Sequence, residues 1–371
     1  MWISKTRSKY CLNYHLILTR RCNLNCSYCH GGEEVDPESE IQYSLDELAS
    51  FLNKDSNVQL MLYGGEPTLR IPLLLRLMDR FPNARFMLQT NGLLLNRIPL
   101  KYLSRFHSIL VSIDGREHIT DGYRSKGVYQ KVLENVRWIK RTGYNGDIVA
   151  RMAVSQESDI YSEVNHLINL KNPTFDHVHW QLNVVWDAEN NWIDFDRWVE
   201  DSYNPGISRL VADWVTKMRE RKIEGIVPFK PLVYTLLTGD SSVLRCGSGI
   251  DTFAIHANGN IGVCPISPDW DFSIVGNIRE TNPSELKEVI HVDEPCPSCN
   301  EYGICGGRCL FANKERLWGE EGFRKVCSTV KYLISVLRDQ IPTIRSLIEK
   351  GCISLEELRY PEYNNGCEII P

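Results

Sequence analysis

Cysteine is missing from residues 30 to 245, although the 371-residue chain carries 13 of them. A disulfide scaffold belongs to small secreted chains, so two dense groups flanking a long gap in a large chain point to metal ligation instead. The opening Met1-Trp2-Ile3-Ser4-Lys5 lacks the apolar run of a signal peptide, and no later run is long enough to span a bilayer. A soluble, cytoplasmic protein without a membrane partner is expected. Excess positive charge is missing too: the net charge is -5 with both signs mixed, which gives nucleic acid no basic face on which to release counterions. Internal repeats and low-complexity tracts are absent.

What is present is a hydrophobic fraction of 43%, in a chain slightly past the size one core usually serves. A main domain with a smaller appendage follows. From Tyr14 to Trp186 short β-rich runs alternate with amphipathic stretches, the pattern of parallel strands joined by crossover helices. The strand candidates are Tyr14 to Thr19, Val58 to Tyr63, Arg85 to Thr90, Ser108 to Ile113, Ile148 to Val154 and His177 to Trp186, short and apolar as buried parallel strands are. A helix starts at Ser44, with Glu47 completing a capping box and Leu45, Leu48, Phe51 and Leu52 as its buried stripe. Another runs from Val128 to Lys140 and ends at Gly143. The alternation predicts an α/β fold, a partial (β/α)6 or complete TIM-type barrel with its chemistry at the C-terminal strand ends. Beyond Trp186 come a helical connector with Trp192, Trp198 and Trp214, the second cysteine group, a long amphipathic helix from Ser328, and a tail ending in Gly366-Cys367-Glu368-Ile369-Ile370-Pro371.

Cys22, Cys26 and Cys29 stand as C-x3-C-x2-C directly after the first strand. Three thiolates can hold a four-iron cluster and leave one iron without a protein ligand, the open position that catalytic metals keep. With Tyr28 just before the third cysteine, the motif resembles the signature of the radical S-adenosylmethionine (SAM) superfamily. Gly64-Gly65-Glu66-Pro67 after the second strand resembles that family's turn for the methionyl amino group, where glycines allow close approach and a carboxylate can pair with an ammonium. Thr90-Asn91-Gly92 and Ser112-Ile113-Asp114-Gly115 end the third and fourth strands, with His118, Asp121 and Arg124 following. In similar enzymes such groups hold the ribose and the carboxylate, and Arg124 or Arg151 suits the carboxylate through its guanidinium fork. A structural ion pair is the competing reading of either arginine.

The second group reads Cys246, Cys264, Cys296, Cys299, Cys305, Cys309 and Cys327, spaced C-x2-C-x5-C-x3-C in its middle. It resembles the SPASM extension of the superfamily, with Gly259 where that pattern has a glycine. The resemblance implies two auxiliary 4Fe-4S clusters besides the SAM-binding one: Cys296, Cys299, Cys305 and Cys327 on one, and Cys309 crossing back to Cys246 and Cys264 on the other. The latter is a ligand short. Sulfatase-maturing relatives fill that place with a cysteine where this chain has Asp240, so Asp240, Cys352, Cys367 or an open iron are the candidates. Those relatives also carry a basic aspartate after the second SPASM cysteine, where this chain has Pro265, which argues against formylglycine chemistry; Asp269 and Asp271 nearby read as loop residues. Cys11, Cys352 and Cys367 can equally be small buried apolar groups.

The resemblance thus implies residues 1–215 as the radical SAM barrel, 216–239 as a connector, 240–335 as the SPASM domain and 336–371 as helix and tail. It implies reductive cleavage of SAM to a 5'-deoxyadenosyl radical that takes hydrogen from a peptide or protein, giving a crosslink or an oxidation, with a flavodoxin- or ferredoxin-type electron donor. A catalytic acid or base is not identifiable. With the first cysteine of the C-x3-C-x2-C motif at position 22, no fused leader-binding domain is expected ahead of the barrel, so a peptide would need another docking surface or a separate leader-binding partner. A small-molecule dehydrogenase or epimerase is the alternative enzyme, and a zinc-binding scaffold the alternative outside enzymes.

Overall fold

The computed structural model describes residues 12–29, 40–55, 57–184, 192–267, 270–360 and 366–371. Cys11, Asp269 and the last two residues of the sixth strand candidate lie outside them. Six strands, β1 (Asn13–Ile17), β2 (Gln59–Tyr63), β3 (Arg85–Thr90), β4 (Phe106–Ser112), β5 (Asp147–Val154) and β6 (His177–Leu182), pair in sequence order and all in parallel. This is a partial barrel. Three further strands, β7 (Thr252–Ile255), β8 (Asn260–Gly262) and β9 (Ile274–Asn277), extend the same sheet, β7 lying parallel to β1 and the other two antiparallel.

Alternation along each strand sorts side chains onto two faces. Leu60, Leu62, Phe86, Leu88, Ile109, Val111, Ile148 and Trp180 face the helices in the main core. Met61, Met87, Leu110 and Val149 face the barrel interior, where they meet Val227, Tyr360 and Cys367. The helix Leu45–Leu52 begins with the expected box: the Glu47 amide donates to Ser44 Oγ and the Ser44 amide to Glu47 Oε2. The second expected helix spans Val128–Arg141.

The long C-terminal helix departs from expectation. It spans Gly319–Glu349 rather than starting at Ser328, so Cys327 sits on it, and it runs through Pro342. Gly319 and Gly322 read as breakers, yet Gly322 is where Trp318 folds back: a Cβ there would lie 2.4 Å from Trp318 Cβ. Glu320 and Glu321 in the first turn complement the helix dipole. Trp192, Trp198 and Trp318 gather with Phe195 in an aromatic cluster that ties the connector to this helix.

Candidate functional site

The loop that follows β1 is fastened to the end of β2. The amide of Gly65 donates to the Thr19 carbonyl (2.9 Å) and that of Glu66 to the Arg21 carbonyl (2.8 Å). Gly64 has φ +139°, and a Cβ there would lie 2.2 Å from the Thr19 oxygen; one on Gly65 would lie 2.4 Å from the Arg21 oxygen. The two glycines are therefore what lets the cysteine loop lie against the β2 end.

Glu66 turns inward and is fully buried. Its carboxylate accepts from the Thr68 amide (2.9 Å), the Thr68 hydroxyl (2.5 Å), the Thr90 hydroxyl (2.7 Å) and the Asn91 amide (2.6 Å). Burial pushes its pKa up against the pull of these four donors. Glu66 thereby knits the β2 and β3 ends: Oε1 takes the two Thr68 donors and the Thr90 hydroxyl, and Oε2 takes the Asn91 amide. Asn91 extends the network to the cysteine loop, donating to Asn23 Oδ1 (2.7 Å) and approaching Cys22 Sγ at 3.9 Å.

The three N-terminal thiols act on one another electrostatically: Cys22 and Cys26 both feel Cys29, and Cys26 also feels Cys22. Burial raises both, Cys26 to about 11 with Arg124 pulling it back. Ligation requires the thiolate, so a cation bound between them would offset this burial. Tyr28 anchors this loop. Its hydroxyl donates to Asp114 Oδ2 (2.9 Å), which Arg124 also grips bidentately, Nε to Oδ2 (2.7 Å) and Nη2 to Oδ1 (2.8 Å). Arg124 is thereby a structural ion-pair partner, with its guanidinium 5.5 Å from the Tyr28 ring centre. Asp121 accepts from the amides of Gly127 and Tyr129 at the start of the following helix, and His118 is exposed. Ser112 ends β4 beside Arg151 in the register.

Arg151 points into the barrel interior, where it donates to His179 Nδ1. His179 Nε2 in turn donates to the Ile369 carbonyl (3.0 Å), which also accepts from Gln181 Nε2 (3.3 Å). Accepting at Nδ1 requires neutral His179, and burial followed by the Arg151 charge holds its pKa well below the usual value. The segment carrying Cys367 and Ile369 thus lies inside the barrel. No local sequence signal announced it.

The C-terminal thiols separate into two sets. Cys264 feels Cys309 and Cys246, and Cys246 feels Cys309. Cys296 feels Cys327 and Cys299, Cys305 feels Cys327 and Cys296, and Cys327 feels Cys299. Burial raises Cys296 and Cys305 to about 11. Among the described residues, no three His, Cys, Asp or Glu side chains converge as ligands of a single ion.

Cys367 lies in the barrel, Cys352 packs against the main core, and Asp240 and Asp271 are exposed. The groups acting on Cys246 are instead Ser248, Cys309 and Asp251, and the Ser248 hydroxyl accepts from the Cys246 thiol (3.2 Å). Ser248 and Asp251 were missed; the only signal was their place beside Cys246 in Cys246-Gly247-Ser248-Gly249. Asn313, also missed, donates to Cys296 Sγ (3.5 Å).

Among the described residues no helix is long and apolar enough to cross a membrane. The Fe-coproporphyrin III synthase of Methanosarcina barkeri is 31% identical over 136 residues, 34% of this chain and 33% of that protein. The matched stretches span 33% to 54% of the length of the curated relatives. A solved structure of anSMEcpe with bound AdoMet and the Cp18Cys peptide superposes with TM-score 0.70 at 19% identity, covering 91% of this chain and 99% of that one. SuiB of Streptococcus suis bound to precursor peptide SuiA superposes with TM-score 0.55 at 14% identity, covering 82% and 73%. Residues 16–166 match the family model described as the radical SAM superfamily. Strands β2 to β5 of the parallel barrel and the cysteine loop fastened to the Gly64-Gly65 turn lie within this match, which gives the chain a radical SAM domain over residues 16–166.

Proposed function

We propose that this enzyme cleaves SAM reductively and abstracts hydrogen from a peptide or protein substrate, leaving a crosslink or an oxidised side chain. One observation carries the reading: three mutually interacting thiols stand on the loop after β1, held by the Gly64–Gly65 turn at the strand ends where barrels keep their chemistry. Cys22, Cys26 and Cys29 would hold a 4Fe-4S cluster with one open iron, which when bound supplies the electron that turns SAM into a 5'-deoxyadenosyl radical. The methionyl ammonium would be met by backbone carbonyls at Gly64 and Gly65 and by Glu66 Oε2, which takes the Asn91 amide. The methionyl carboxylate would be met near Ser112, because Arg124 is committed to Asp114.

Two auxiliary 4Fe-4S clusters would be held by Cys296, Cys299, Cys305 and Cys327 and by Cys246, Cys264 and Cys309. A flavodoxin- or ferredoxin-type donor would reduce the enzyme. A peptide substrate is supported by two proteins of this fold whose structures hold peptides, and a separate leader-binding partner would present it. The second reading, a small-molecule substrate, is favoured by the similarity to a protein named for coproporphyrin chemistry.

Anaerobic, iron-replete protein incubated with reductant and SAM should yield 5'-deoxyadenosine, and Cys26→Ala should yield none while retaining its C-terminal iron. Equal loss of iron from all sites in that variant would overturn the separation of the sites. Deuterium carried from a labelled peptide into 5'-deoxyadenosine supports the peptide reading, and transfer only from labelled small molecules supports the other.

A further inference from the structure

Arg308 lies between Gly307 and Cys309, and its side chain is buried, with 8% of the residue exposed. Its Nε and Nη2 are both buried without a hydrogen-bond partner, and no carboxylate among the described residues forms an ion pair with it. It lines a cavity together with Cys296, Cys305, Cys327, Trp318 and Val326. Its backbone adopts φ +56°, a conformation uncommon outside glycine, immediately after Gly306 and Gly307 at φ +72° and +86°. The chain thus accepts an unusual backbone to aim a cation into this cavity.

An unpaired guanidinium out of water is costly, and proteins keep one where an anion meets it. The side chains facing Arg308 offer thiols: its charge acts on Cys305 and Cys327. A four-iron cluster held by four thiolates is an anion, with sulfur atoms able to accept the two orphaned N–H groups.

We propose that Arg308 is the built-in counter-charge of the C-terminal cluster, donating to its sulfur atoms and raising its reduction potential so that it serves as an electron acceptor. Cluster potentials respond to local charge and to hydrogen bonds on sulfur, and Arg308 supplies both. Its position one residue before Cys309, a member of the other C-terminal set, places this charge where the two sets approach. The inference rests on the cluster reading above. Arg308 acts through the cluster and is a positioning residue.

The test is potentiometry followed by EPR on full-length, iron-replete protein, with iron counted per chain, for wild type, Arg308→Lys and Arg308→Gln. The Gln variant should lower the midpoint of one C-terminal cluster by at least tenfold in reduction constant, about 59 mV for a one-electron couple, and leave the other midpoints in place. The Lys variant, keeping the charge but losing the fork, should fall between. Equal midpoints in all three proteins overturn the inference alone. If the Gln protein loses that cluster, the Lys protein decides: a lowered midpoint supports the inference and an unchanged one overturns it. Wild-type protein that binds no iron beyond the N-terminal site overturns the cluster reading and this inference with it.

Discussion

Arg124 grips Asp114 with two hydrogen bonds of 2.7 and 2.8 Å, and Asp114 is the same carboxylate that receives the hydroxyl of Tyr28. The ion pair between the fourth strand end and the next helix thereby sets the position of the cysteine loop. Asp114→Asn should leave the buried guanidinium under-compensated and destabilise the fold by about 3–5 kcal/mol, read by urea unfolding. It should also weaken iron retention at the N-terminal site alone. Unchanged stability would mean that the pair is dispensable.

Glu66 accepts four hydrogen bonds while fully buried. Glu66→Gln places donors against donors and should cost about 1–3 kcal/mol, visible in thermal melting. SAM affinity should fall with it, because the β2 and β3 ends lose their common tie. A variant that melts normally but loses SAM binding would show that the contact between Glu66 and the ammonium, not the tie, governs binding.

Two buried histidines give stability a pH dependence. Burial lowers His15 to about 4 and holds His179 well below its usual value. Between pH 6.5 and about 4 the unfolded chain binds protons that the folded chain refuses, so stability is intact above that window and falls as pH drops through it, by up to about 1.4 kcal/mol per pH unit for each histidine. Unfolding free energies at pH 7 and 5.5 should therefore differ less in His15→Gln than in wild type. An identical difference would contradict the assignment.

The strands were legible because buried parallel strands are continuous apolar runs: the first five fall within about two residues of the expected ranges, the sixth starts at His177 as expected but ends at Leu182 rather than Trp186, and the box at Ser44 and Glu47 forms as read. Runs of three or four residues such as Asn260–Gly262 carry too little periodicity to be seen. The helix start at Gly319 was hidden by glycines, of which Gly322 has a use, making room for Trp318, that exists only in three dimensions. The cysteines were legible by spacing, whereas Arg308, Ser248 and the tail inside the barrel depend on contacts between distant segments. Asp114 and Arg124 were recognised as site residues, but that each is the other's partner required the fold.

The missing ligand of the Cys246, Cys264 and Cys309 set offers a further test. Asp240→Ala, Cys352→Ala and Cys367→Ala should each retain the wild-type iron content, since Asp240 is exposed, Cys352 packs against the main core and Cys367 lies in the barrel interior. Loss of iron in any one of them would identify it as the ligand.

The central claim is that the thiols after β1 leave an iron open to SAM, and EPR of the reduced protein with and without SAM tests it most directly. A change in one cluster signal on adding SAM, absent from Cys26→Ala, is the predicted result. A spectrum that SAM leaves untouched in iron-replete wild type would contradict the account.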